Sequence, residues 1–322
     1  MKRQHWIDFL RGICMMAILL DHTEIYYTGG NVINYHLYVA DALVIFFFLS
    51  GYLFLKPGDF SLRHKALSVL KTIIIPYFIF TAVTAIPKAL AHGTTLSVCD
   101  ISQYILTGQA SWFVAALAVA ELLFAFIIKW AKGNQWMIAV GSFFAFVMSI
   151  WLAKGPQPYL WQLDNAMQAM LFLCLGYLYH VHENRLNRLV TSSVSLVILG
   201  ITLIGIKVVV LQYHVSLLIW PIHISNYFVF LIDAVICILF MTNLCKRIGH
   251  HPLIEWTGAH SIVYYFLCGG VPLLTSRLLD YLHFAYQGSY YQVGITFLLV
   301  YLLTTLITWL IYRYIPFVTG RK

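Results

Sequence analysis

Charge is what this chain has least of. Asp, Glu, Lys and Arg make up 10% of its 322 residues, against about 25% in an ordinary soluble protein. That shortage excludes a soluble domain of this size. With 61% apolar residues and a mean hydropathy of +0.81, what remains is an integral membrane protein. Acids are the scarcer sign, and the net charge is +8 with a pI near 9.1. The basic residues are scattered over many short loops rather than gathered in a patch, so no nucleic-acid partner is expected; loop charges facing an acidic leaflet give the same bias. Cysteine is sparse too. Cys14, Cys99, Cys174, Cys237, Cys245 and Cys268 contain no Cys-x-x-Cys pair, which argues against a disulfide framework or a thiolate metal centre. His180-Val-His182-Glu183 and His250-His251 have some look of metal ligands. Both fall where a histidine also complements a helix C-terminus, and no metal is expected. Polar stretches long enough for a separate soluble domain, internal repeats and low-complexity tracts are missing as well. The first apolar segment carries acids and no small-residue cleavage site, so it does not read as a cleavable leader.

What is present is a succession of apolar runs of membrane-spanning length. Ten are expected, at Ile7–Tyr27, Val39–Leu55, Leu67–Leu90, Ala110–Ile128, Trp136–Ala153, Trp161–Tyr179, Leu189–Leu211, Ser225–Leu244, Ser261–Leu279 and Tyr291–Tyr312. Threaded alternately, they put sixteen of the twenty Lys and Arg residues on one side, leaving Lys88, Lys154, Lys207 and Arg277 on the other. Such a split predicts both termini in the cytoplasm. The expected fold is therefore all-α, one transmembrane domain over residues 1–322, with ten helices.

The first run carries Asp8, Arg11, Asp21, His22 and Glu24. Charges at membrane depth cost roughly 2.5–3.5 kcal/mol each or more, so such residues tend to be used. Arg11 and His22 differ by about 20° from three full helical turns and lie about 16 Å apart along the axis. Asp8 sits one turn before Arg11 on the same face, placed for an ion pair. This spacing predicts a polar stripe with arginine towards the cytoplasm and histidine in the outer half. Histidine is a natural general base for a hydroxyl attacking an activated acyl group, and can also accept the acyl group itself. Asp21 points about 100° away from His22 and is a poor partner for it.

Further candidates lie along the chain. Arg63, Lys65 and Lys71 follow the second run and suit a phosphorylated cytosolic ligand or ordinary loop charge. Ser50-Gly51 lets a helix or ligand approach the backbone. Glu121, Asp164 and Asp233 are acids within apolar runs, placed to orient the histidine or bind a sugar hydroxyl. Trp112 opens the fourth run, as an interfacial anchor or as a platform for a sugar ring. The stretches Ala91–Gln109 and Gln212–Ile224, the latter with Trp220-Pro221-Ile222-His223, are long enough to shape a site on the outer side.

In order along the chain, these motifs resemble membrane acyltransferase family 3. These are bacterial multi-pass O-acyltransferases that include fucose 4-O-acetylase-like proteins and modifiers of surface polysaccharides. The resemblance begins with His5-Trp6-Ile7-Asp8-Phe9-Leu10-Arg11-Gly12 and Asp21-His22. It continues through Phe-Phe-Leu-Ser50-Gly51-Tyr52 and Lys71-x4-Pro76-Tyr77, then Trp112-Phe113 with Leu117. Asp164 ahead of Phe172-x2-Leu175-Gly176-Tyr177 and Gly258-Ala-His-Ser261-Ile-x-Tyr264 complete it. Family members often carry a histidine a few residues further on, where this chain has Cys268-Gly269-Gly270.

The resemblance implies an acyl-CoA-dependent O-acetyltransferase of a bacterial inner membrane. Cytosolic acetyl-CoA would be the co-substrate, no cofactor would be permanently bound, and a sugar or glycolipid hydroxyl would be the acceptor. Carried over, Arg11 positions the donor and His22 acts in transfer. The residues' own pattern adds Asp8 to the catalytic set, Arg63, Lys65, Lys71 and Ser50 beside Arg11 for the donor, and Trp112, Glu121 and Asp164 for the acceptor. The partners are then acyl-CoA, the acceptor and the bilayer, with a homo-oligomer left open. Other readings are a multi-pass transporter of a small polar substrate or sugar-lipid, since polar stripes also mark transport pathways, and a non-catalytic envelope assembly or sensing protein.

Overall fold

In the computed structural model, which describes residues 4–54, 60–92 and 97–320, short polar side chains set where several helices begin. Ser61, Asn134, Ser192 and Asn226 each accept a backbone N–H from the first turn that follows. The first helix, α1 (His5–Thr28), ends at Gly29, whose φ of 84° lets its N–H close back onto the Ile25 carbonyl. Next come α2 (Val39–Tyr52) and α3 (Leu62–Val69), then a wide turn over Leu70–Ile74 and α4 (Ile75–His92). The widening falls just before Pro76, which has no N–H to donate and crowds the carbonyl four residues back. The chain continues through α5 (Val98–Leu106), α6 (Trp112–Trp130), α7 (Gln135–Leu152), α8 (Leu163–Val181), α9 (Glu183–Val190) and α10 (Ser193–Gln212). A two-residue hairpin, β1 (Leu217–Leu218) with β2 (His223–Ile224), pairs Leu217 with Ile224 and Leu218 with His223. Then follow α11 (Tyr227–Arg247), α12 (Pro252–Ala259), α13 (Ser261–Leu267), α14 (Gly270–Tyr281) and α15 (Tyr290–Tyr314).

Helices fall in every segment expected to span. Among the described residues, six are long and apolar enough to cross a membrane: Leu62–Ala85, α6, α7, α10, α11 and α15. The pair α13–α14, bent by 46°, makes a seventh if it is one span. The other three expected spans differ for visible reasons: α1 carries four charges, α2 has 14 residues, and α8 opens on Leu-Asp-Asn-Ala-Met-Gln. Lys2, Arg3, Lys56, Arg321 and Lys322, and the side chain of Lys88, all part of the expected loop-charge pattern, lie outside the described residues.

The chain forms two compact units. One comprises Met1–Ala42, Ile75–Leu106 and His250–Lys322; the other comprises Leu43–Ile74 and Thr107–Gly249. In the first, α1 packs against α12, α13, α14 and α15. Its tightest approach is reciprocal: Gly12 lies against the Ile254 carbonyl and Gly258 against the Asp8 carbonyl. A Cβ at either place would collide with backbone, so the sequence here needs glycine on both helices. Gly12→Val is expected to cost about 3 kcal/mol, the upper end for overpacking. It should lower the melting temperature in detergent well beyond Gly205→Val, where a Cβ meets open space.

In the second unit α8 is central, packed on α6 and α7, while α10 pairs with α11. Gly51 meets the Leu173 carbonyl and Gly176 the Phe48 carbonyl in the same reciprocal manner. Edge-to-face pairs Phe54–Phe124, Phe124–Tyr177 and Phe172–Phe230 fill the core.

Candidate active site

Asp8, Arg11, Asp21, His22 and Glu24, all on α1, separate into two sets. Asp21 and Glu24 are buried and engaged. Asp21 accepts from the Asn31 amide at 2.5 Å. Glu24 accepts the backbone N–H groups of Val32 and Ile33 at 2.8 and 3.0 Å and the Tyr290 hydroxyl at 2.8 Å. These acids fold the loop after α1 back onto the helix and hold the start of α15. Asp8, Arg11 and His22 are instead half-buried, and the His22 ring stacks on Tyr26 one turn later, 6.3 Å between centroids. Asp21 is thus spent on Asn31, in keeping with its direction away from His22. Between Arg11 and His22 the same face carries Met15 and Ile18, both buried. The stripe is therefore two polar ends joined through an apolar middle.

In the second unit, three expected site residues come together. The Ser50 hydroxyl donates to Oε1 of Glu121, and Lys65 Nζ lies 2.7 Å from Oε2. The same ammonium sits 4.2 Å from the centre of the Phe54 ring, a cation–π contact that further shields it. Glu121, read from sequence with the acceptor residues, is thus grouped with Ser50 and Lys65, read with the donor residues. It lies nine positions, about 14 Å, along α6 from Trp112. Arg63 and Lys71 are exposed on and just after α3, where they can meet phosphate.

A second constellation occupies the starts of α6 and α8. The Trp112 ring lies nearly parallel to that of Trp220, at 8° and 5.8 Å. Trp220 donates its indole N–H to Gln162 at 2.9 Å, and Gln157 fastens the hairpin by two hydrogen bonds to Ile222. Asp164 follows two residues after Gln162 and is fully buried, with Asn165 and Gln168 beside it on α8. Neither Asp164 carboxylate oxygen, nor the Asn165 amide, nor Gln168 Nε2 reaches a hydrogen-bond partner among the described residues. The Asp164 and Asn165 backbone N–H groups and the Asn165 side chain lie near the carboxylate. Buried polar groups left in this state are costly, and a hydroxyl-rich ligand would satisfy them. Trp220 was visible in sequence only as part of a long loop; its partnership with Trp112, 108 positions away, was not.

Other ionisable groups are absorbed by packing. Asp233 pairs with Lys207 at 2.7 Å, joining α10 to α11. Glu183 accepts from Tyr52 at 2.6 Å and from Lys246 at 2.8 Å, and Lys246 also reaches Asn187 and Tyr179. Burial pushes the Glu183 carboxyl up, but these hydrogen bonds and the Lys246 charge outweigh it and hold the group below its ordinary range. His182 bonds Gln135 at 2.8 Å and the His180 ring meets Tyr52 edge to face, so this trio serves helix packing.

An almost wholly helical chain with six or seven helices long and apolar enough to cross a membrane defines a multi-pass membrane protein. The family model described as acyltransferase domain (acyltransferase 3) matches residues 4–313, and the chain belongs to that family. It is a membrane acyltransferase. Comparison with curated proteins and with solved structures gives no match.

Proposed function

We propose that the protein transfers acetyl from cytosolic acetyl-CoA to a hydroxyl of a cell-surface or lipid-linked sugar. On this reading it lies in a bacterial inner membrane with ten spans and both termini cytoplasmic. The observation that carries the reading is that Asp8, Arg11 and His22 lie half-buried along one face of α1 in a chain of the acyltransferase family. In the reaction, the acceptor oxygen forms a bond to the thioester carbonyl carbon and the C–S bond breaks. His22 takes the hydroxyl proton and passes it to the departing CoA sulfur. Arg11, aligned by Asp8, positions the donor; Arg63 and Lys71 bind its phosphates. The Trp112–Trp220 pair offers an aromatic face to a sugar ring, and Asp164, Asn165 and Gln168 offer acceptors and donors to its hydroxyls.

Purified protein in nanodiscs, given acetyl-labelled CoA and extracted envelope glycolipid, is expected to produce a base-labile ester. Passage of the acceptor across liposomes without ester formation would favour a transporter and overturn the reading. Trp112→Ala is expected to raise the acceptor KM about tenfold, the equivalent of one aromatic stacking contact. The KM for acetyl-CoA should stay where it was. A rise in both constants would move Trp112 out of the acceptor role.

A further inference from the structure

At the start of α12, Pro252 occupies the first turn and Glu255 follows within it. The Glu255 side chain is only 3% exposed, yet each of its oxygens faces an imidazole. Oε2 is 2.6 Å from Nδ1 of His5, and Oε1 is 2.6 Å from Nδ1 of His250. Oε1 also accepts the His251 backbone N–H at 3.0 Å, which fixes the direction of the carboxylate. The two imidazoles stand edge to face, 4.8 Å between centroids, with side chains 56% and 59% exposed. The donor atoms of all three residues lie within 4.8 Å of one another.

From this geometry we propose that His5, His250 and Glu255 bind a borderline divalent cation of the zinc class. Two imidazole nitrogens and one carboxylate oxygen match Zn²⁺, Co²⁺ or Ni²⁺, whereas Mg²⁺ and Ca²⁺ select oxygen. Tetrahedral zinc spaces its ligands about 3.3 Å apart. The carboxylate is already held by backbone, and the exposed imidazoles need only small rotations to open that space. On binding, each Nδ1 presents its lone pair and carries its proton on Nε2 instead, so both N–H···O contacts are replaced by bonds to the ion. A water completes the coordination on the exposed side. The second-shell bond from His251 orients the carboxylate as outer partners do in other metal sites. The ion would tie the first turn of α1 to the start of α12, one helical turn from where Gly258 meets the Asp8 carbonyl. It would thereby brace the helix that carries Arg11 and His22. The inference is independent of the acyl-transfer reading.

The test uses full-length protein in detergent, its C-terminal tag removed and metals stripped with EDTA, titrated with Zn²⁺ alone and with Co²⁺ as a spectroscopic probe. One saturating equivalent, a Co²⁺ ligand-field spectrum and a melting temperature raised by Zn²⁺ are expected. The pair His5→Ala/His250→Ala should lose at least about tenfold in affinity and abolish the spectrum. Because it strips both side-chain donors from the buried Glu255 carboxylate, its metal-free melting temperature should fall. His5→Asn/His250→Asn, which leaves an amide donor at each place, is titrated beside it as the folded control, with the same loss of binding expected. His251→Ala keeps the backbone N–H and should bind as wild type does. Zn²⁺ binding unchanged in the His5→Ala/His250→Ala variant, or no saturable binding by the wild type, overturns the proposal.

Discussion

His22→Ala is expected to lower kcat for acetyl transfer by about 10²–10⁴-fold, the range for removing a positioned general base. The protein should still fold. The imidazole is half-buried and stacks on Tyr26, and alanine is a strong helix former that keeps the backbone of α1 in place. The neighbours supply the control. Asp21→Asn changes the group bonded to Asn31 and Glu24→Gln weakens the clamp on Val32, Ile33 and Tyr290. Both are expected to lower the melting temperature in detergent with kcat falling less than tenfold per folded molecule. Rates would be normalised to monodisperse protein from size exclusion, with labelled acetyl-CoA as donor. Wild-type turnover by His22→Ala would remove the base from the mechanism. A loss as large in Asp21→Asn would mean that the helix, not the imidazole, is what the reaction needs.

The contrast between these residues shows what a sequence discloses. Periodicity placed Arg11 and His22 on one face and Asp21 off it, because helical angle is a local property. The caps Ser61, Asn134, Ser192 and Asn226 are local in the same sense, each acting within one turn of its own helix. Apolar runs gave ten expected spans, of which six or seven meet helices long and apolar enough to cross a membrane among the described residues. Spacing did not disclose that Met15 and Ile18 interrupt the stripe, since burial of a helix face depends on which helices cover it. Nor did it disclose pairings made by tertiary packing. Trp112 with Trp220, Asp233 with Lys207, and His5 with Glu255, 250 positions apart, have no local signature. The division of the chain into two units was likewise hidden, because each unit is assembled from segments distant in sequence.

Lys65→Met is expected to cost about 3 kcal/mol of stability, because it strips the counter-charge from a buried carboxylate. Glu121 would keep only the Ser50 hydroxyl on its other oxygen, and one neutral hydrogen bond does not offset a lone charge in an apolar setting. The double variant Lys65→Met/Glu121→Gln removes both charges while the new amide can still accept from Ser50. It should recover most of the loss, since a buried ion pair replaced as a pair is often close to neutral. Kinetics on the same proteins decide what Lys65 does. If its role is to neutralise Glu121, the acetyl-CoA KM of the double variant returns near wild type together with stability. If Lys65 instead binds a phosphate of the donor, KM stays raised in the double variant even though the fold is restored. Arg63→Ala and Lys71→Ala, exposed and without such a partner among the described residues, are expected to raise the acetyl-CoA KM with little change in melting temperature. The geometry favours the first outcome: at 2.7 Å from Oε2 and 4.2 Å from the Phe54 ring, the Lys65 ammonium is already coordinated on two sides. On the proposed reading, the donor phosphates are then left to Arg63 and Lys71, both exposed.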